Sequence, residues 1–143
     1  MLEQISSNNA LLAIIIRKEY TCQGVEFLTS DEAPMQVGVM CHPQGHEILP
    51  HLHVPFKRTI NNTQEVLWIR KGKLRVDFYD EKKNFLESRI VGAGDTILIV
   101  SGGHGFTVLE ELEMIEAKTG PFIKDSKTIV IKDSKTIASM TKR

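Results

Sequence analysis

Five histidines, His42, His46, His51, His53 and His104, head the side chains of this sequence that can bind a metal or move a proton. The informative pair is His51-Leu52-His53. In a strand, residues i and i+2 point the same way, which sets both imidazoles on one face about 6.6 Å apart along the chain. Both rings then reach one ion through N–metal bonds of about 2.0–2.1 Å, the length typical of zinc. Standing alone, a His-x-His pair arises by chance and assigns nothing.

The neighbours of that pair offer further chemistry. Glu47 shares strand parity with His51 and is the candidate acid or base. Lys57 and Arg58 follow in a long loop, where they can clamp a phosphate or carboxylate, the plainer reading being a solvated loop. His42 and His46 lie in or beside the turn His42-Pro43-Gln44-Gly45 and are expected to face water. Cys22 and Cys41 form no C-x-x-C motif, and they read as inert thiols.

These residues need a frame to hold them. A chain of 143 residues is the size of one ordinary domain. Its 41% hydrophobic and 25% charged content is that of a soluble globular protein. Formal net charge is +0, and no basic stripe is interleaved with aromatics, so no nucleic-acid partner is expected. The longest apolar run, Leu11–Ile16, is far short of the roughly 20 residues of a membrane span, and it lacks the flanks of a signal peptide. A cytoplasmic location is the expectation.

Helix periodicity is scarce, with at most a ragged helical turn over residues 1–10. Short apolar or alternating runs punctuated by Gly, Pro and Asn recur instead, the pattern of a β-sandwich or small barrel. Leu11–Ile16 suits a strand covered on both faces. Gln36–Met40 and Ile48–Val54 follow. Glu65–Arg70 and Leu74–Tyr79, separated by Lys71-Gly72, predict a hairpin over 65–79. Asp80–Asn84 is a polar turn, and Leu86–Ile90, Thr96–Val100, His104–Leu109 and Leu112–Ala117 complete the set. Residues 124–143 form a separate tail in which Lys-Asp-Ser-Lys-Thr-Ile occurs twice, after a single domain over 1–123. One repeat pair is too little for a solenoid, so a terminal extension or hairpin is expected.

The glycines around the histidines add a longer pattern. Gly45 lies six residues before His51, Glu65 seven before Gly72, and Gly94-Asp95 leads through an apolar strand to Gly102-Gly103-His104. With GHEILPHLH, EVLWIRKG and GDTILIVSGGHGF, the chain resembles the cupin superfamily over roughly Met35 to Phe122. More narrowly, TQEVLWIRKGKLRVDFYD and SGGHGF resemble small single-domain cupins linked with bacterial surface-sugar biosynthesis. The resemblance implies an all-β, double-stranded β-helix, or jelly-roll barrel, with few or no helices. It also implies metal ligation by His51, His53, Glu65 and His104. Two departures stand out. Eleven residues separate His53 from Glu65 where the family has three or four, which leaves Gln64 as the alternative to Glu65. Val100 stands where proline is common.

Parity fits that ligand set: Leu67 and Ile69 share a face with Glu65, and Phe106 and Val108 with His104. Val66 and Trp68 make the opposite face apolar as well. That face calls for cover from Leu11–Ile16 or from a second copy, and a homodimer is expected. Three imidazoles and a carboxylate suit Fe²⁺, Mn²⁺, Ni²⁺, Co²⁺ or Zn²⁺. The resemblance then implies a metal-dependent enzyme on a small polar metabolite, an isomerase or epimerase of a sugar or sugar derivative. An iron-dependent dioxygenase and a non-catalytic binding or sensing module are the alternatives.

Overall fold

The computed structural model describes residues 1–122 and 129–131. Every regular element among them is a β-strand: β1 (Leu2–Ser7), β2 (Ala10–Ile16), β3 (Gly24–Phe27), β4 (Gly38–Cys41), β5 (Glu65–Tyr79), β6 (Phe85–Gly92), β7 (Thr96–Ile99) and β8 (Gly103–Lys118). They form a curled antiparallel half-barrel of six strands, with β3 and β4 as a separate two-stranded ribbon. The twice-occurring tail segment lies outside the described residues, apart from 129–131.

Three sequence expectations change. Residues 1–10 are no helical turn but the first arm and turn of the β1–β2 hairpin. Asn8 and Asn9 take φ of 50° and 63°, the left-handed pair that a tight two-residue turn requires and that asparagine tolerates. Ile48–Val54 forms no strand and lies exposed. The 65–79 hairpin is instead one continuous strand, and the two final runs likewise fuse into β8. Lys71-Gly72 looks like a turn in sequence, yet in the fold it is a corner within β5.

That corner organises the sheet. β8 follows one edge of β5 from end to end, while β7 and β6 divide the other edge. Ile99 lies opposite Glu65 at the start of β5, and Gly103 lies opposite Tyr79 at its end. The four steps from 99 to 103 span at most about 14 Å. A straight strand from 65 to 79 would measure about 46 Å. β5 must therefore bend back sharply. The bend coincides with three successive register shifts against β8, between Ile69 and Leu74, and with Gly72 at φ 84°. Bulges of this kind raise local twist and turn barrel corners.

Curling creates two cores. Leu67, Ile69, Leu74, Val76 and Phe78 of β5 join Ile5, Leu12, Ile15, Val91, Ile97 and Ile99 in the larger one. Because it draws on strands from across the sheet, it lies on the concave side. Ile14, Ile16 and Leu98 face the other way, under Leu28, Met35, Val37 and Val39 from the β3–β4 region. β2 is thus buried on both faces, as its unbroken apolar run predicts. At the far side, β8 has a single strand partner among the described residues, and its exposed Glu110, Glu111, Glu113 and Glu116 line that rim.

An ionic knot ties the β6–β7 break to the first hairpin. Asp95, 7% exposed, accepts hydrogen bonds from the backbone N–H of Gly92 (2.9 Å) and Lys18 (3.0 Å) and from the Arg17 guanidinium (3.0 Å). Arg17 also donates to Glu3 (2.6 Å) and to the Ile90 carbonyl (2.8 Å). Burial pushes the Asp95 carboxyl up, but its three donors outweigh that and hold it below the usual aspartate range.

Two outcomes test this frame. An added Cβ at Gly72 would overlap the Glu111 carbonyl oxygen and stand 2.8 Å from its carbon, whereas one at Gly45, with nearly the same φ of 83°, would meet nothing. Gly72→Ala should cost more than about 3 kcal/mol and Gly45→Ala about 1 kcal/mol in denaturant unfolding. Equal losses would refute the steric corner. Asp95→Asn should cost about 2–3 kcal/mol near neutral pH. With its folded pKa depressed, Asp95 stabilises above its unfolded value of about 3.9 and loses that contribution as pH falls through the lower folded value. The variant's stability should therefore fall less steeply in acid than the parent's.

Candidate functional site

The bend in β5 brings its first residue to the strand that pairs with its last turn. His104 lies opposite Phe78 in the β5–β8 ladder, yet its Nε2 stands 3.2 Å from Oε2 of Glu65. The side chains are 28% and 16% exposed, at the margin of the concave core. Glu65 rather than Gln64 makes this contact. Gln64 is buried with its Oε1 unpartnered, and its backbone pairs with Thr119.

Proton positions follow from the partners. An ionised carboxylate only accepts, so His104 Nε2 donates to Glu65. In the neutral ring Nδ1 is then a lone-pair acceptor, and it is buried without a partner. The His104 hydrogen bond, first, and the charge of Lys118 lower the Glu65 carboxyl below its ordinary range, against a rise from burial. The aromatic ring of Phe106 flanks the imidazole at 5.1 Å between centroids.

The apolar companions divide. Leu67 and Ile69 are buried beside Glu65, but Phe106 and Val108 stay 39% and 56% exposed. They lie opposite buried Val76 and Leu74 and so share the concave face. Their exposure follows from the open rim at β8. On the outer face, Val66 packs in the second core, while Trp68 and its cross-strand neighbour Ile115 are half exposed.

His51 and His53 stand elsewhere in the chain's path, on the exposed segment between β4 and β5. Their rings lie edge to face at 5.2 Å. His51 Nδ1 donates to the Leu49 carbonyl at 2.8 Å, which leaves Nε2 with the free lone pair. Among the described residues, no three His, Cys, Asp or Glu side chains gather in a metal-holding group. The structure thus brings the four expected ligands together as two pairs. The donor types fit a divalent ion, and Glu65 and His104 stand side by side at the margin of the concave core, with the orphaned Nδ1 of His104 on the side of the ring away from Glu65.

Lys57 and Arg58 line an open cleft of about 980 Å³ with His53 and Phe56, facing Asp31 and Glu32 from the loop after β3. The Arg58 guanidinium sits 3.6 Å over the Phe56 ring. Glu47 is exposed. His42 and His46 stack at 4.0 Å, with His42 Nε2 buried and unpartnered rather than solvated. Sequence reasoning also missed the approach of Cys22 to Cys41, since eighteen intervening residues hide a contact made by ribbon pairing.

His104→Ala should cost about 1–3 kcal/mol, because it leaves the largely buried Glu65 carboxylate without its main partner. Glu65→Gln keeps an acceptor for Nε2 and should cost less. A double-mutant cycle should return a coupling of about 1 kcal/mol for this partly solvated pair. No coupling would show that the contact contributes nothing. Comparison with known proteins finds no family model that matches the chain, and no match among curated proteins or solved structures.

Proposed function

We propose that this chain is a small cupin-type barrel that binds one divalent metal ion and acts as an enzyme on a small polar metabolite. The reaction class is isomerisation or epimerisation of a sugar or sugar derivative. The supporting observation is the Glu65–His104 contact: two metal-ligand side chains thirteen residues apart along β5 meet at 3.2 Å, so an ion taking the place of the proton on His104 Nε2 would have the Glu65 carboxylate beside it.

In this reading His51 and His53 complete the donor set. A metal in such a set polarises a bound oxygen or acidifies a bound water. The chain's own groups do the rest. The apolar concave face excludes water, Lys57 and Arg58 hold an anionic part of the metabolite, and Glu47 carries the proton. A second copy is proposed to cover Trp68 and Ile115 on the outer face. One observation favours a second reading, a binding module without turnover: the cleft beside Lys57 and Arg58 lies among residues outside the Glu65–His104 pair.

Calorimetric titration with Zn²⁺, Mn²⁺, Ni²⁺, Co²⁺ and anaerobic Fe²⁺ separates these. One ion per chain is expected, weakened at least tenfold by His104→Ala and by the His51→Ala/His53→Ala pair. Because bound imidazoles must be neutral, affinity should also fall in acid. Wild-type affinity in both folded variants would dismiss the metal centre and leave the binding module.

A further inference from the structure

The β3–β4 ribbon holds a second reactive cluster, remote in kind from the histidines. Gly24 lies opposite Cys41 in the ribbon ladder, and Cys22 precedes Gly24 by two residues. The backbone N–H of Cys22 donates to the Cys41 sulfur at 3.4 Å, and the Thr21 hydroxyl lies 3.4 Å from the same sulfur. The Cys22 thiol turns back onto the same ribbon, donating to the carbonyls of Val39 (3.3 Å) and Gly24 (3.6 Å). Both cysteines are free and partly exposed.

We propose that Cys22 and Cys41 form a reversible disulfide that locks the β3–β4 ribbon, with a low-molecular-weight disulfide such as oxidised glutathione as the oxidant. The cysteines divide the work. Hydrogen bonds from the Thr21 hydroxyl and the Cys22 N–H lower the Cys41 thiol, whereas burial first and the neighbouring Cys41 second raise that of Cys22. Cys41 thiolate therefore attacks a glutathione sulfur; an S–Cys41 bond forms, the glutathione S–S bond breaks, and one glutathione thiolate leaves. Cys22 then attacks the Cys41 sulfur and gives its proton to that thiolate; the Cys41–glutathione S–S bond breaks, and the second glutathione leaves as a thiolate that takes up from water the proton Cys41 released. Two protein thiols are oxidised, and one glutathione disulfide is reduced to two thiols.

Position gives the bond a consequence. Val39 of the ribbon and Leu28, Met35 and Val37 between its strands cover the second core, and Cys41 is the last residue of β4 before the segment that carries His51 and His53. The disulfide would close a loop across that cover and fix the root of the histidine segment. This assignment is independent of the metal reading, since its test needs neither metal nor substrate.

The test is titration of the full chain with oxidised glutathione, followed by mass spectrometry and a non-reducing digest. The wild type should lose two hydrogens in mass, yield a linked Cys22–Cys41 peptide, and melt at least about 5 °C higher than its reduced form. Cys22→Ser should retain glutathione on Cys41, and Cys41→Ser should react at least tenfold more slowly. A stable glutathione adduct on the wild type, disulfide-linked dimers, or two thiols still open to alkylation would each overturn the proposal. Equal rates in the two variants would overturn Cys41 as the attacking thiol.

Discussion

The bend in β5 is the constraint on which the rest of this fold depends. A fifteen-residue strand with both edges occupied would make a flat, extended sheet if it ran straight. Folding it back at Gly72 makes one face concave and collects Leu67, Ile69, Leu74, Val76 and Phe78 into a single core. The same bend sets Glu65 and His104 side by side, although the ladder places them at opposite ends. The backbone tolerates this corner only where no Cβ competes with the Glu111 carbonyl. Site and core are thus two results of one local geometry.

The corner on its own would leave the half-barrel loose, because β6 and β7 meet β5 as separate pieces. The knot of Asp95, Arg17 and Glu3 closes that gap. It satisfies backbone donors freed where β6 gives way to β7, and it fastens the break to the β1–β2 hairpin. Asp95 and Gly94 therefore have a structural reason to stand together, apart from any role in a metal centre.

How much of this could be read from sequence depends on the range of the forces involved. Strand content was legible, because alternation along Leu74–Phe78 and the apolar run Leu11–Ile16 report local burial. The turn at Asp80–Asn84 was legible for the same reason, its side chain bonding its own backbone. Gly72 was misread. Lysine-glycine between two apolar runs has the composition of a turn, and only the long pairing with β8 turns it into a bulge. The meeting of Glu65 with His104 was foreseen through resemblance and strand parity, not through distance. Phe106 and Val108 took the expected face but not the expected burial, because the roof over β8 is a tertiary matter. Ile48–Val54 failed as a strand since apolar residues need a partner edge as well as a pattern.

The rim at β8 carries a last implication. Sixteen residues of extended backbone with a strand on one side alone, among the described residues, would ordinarily recruit a neighbouring molecule into a growing sheet. Glu110, Glu111, Glu113 and Glu116 crowd that edge with charged side chains, three of them paired with Lys73, Lys71 and Lys118. Such charged side chains, which lose hydration when a second strand docks, act as gatekeepers against edge-to-edge stacking. Colloidal behaviour is thereby linked to this rim: without its charged fringe, the longest strand of the described fold would lie open to a neighbouring molecule.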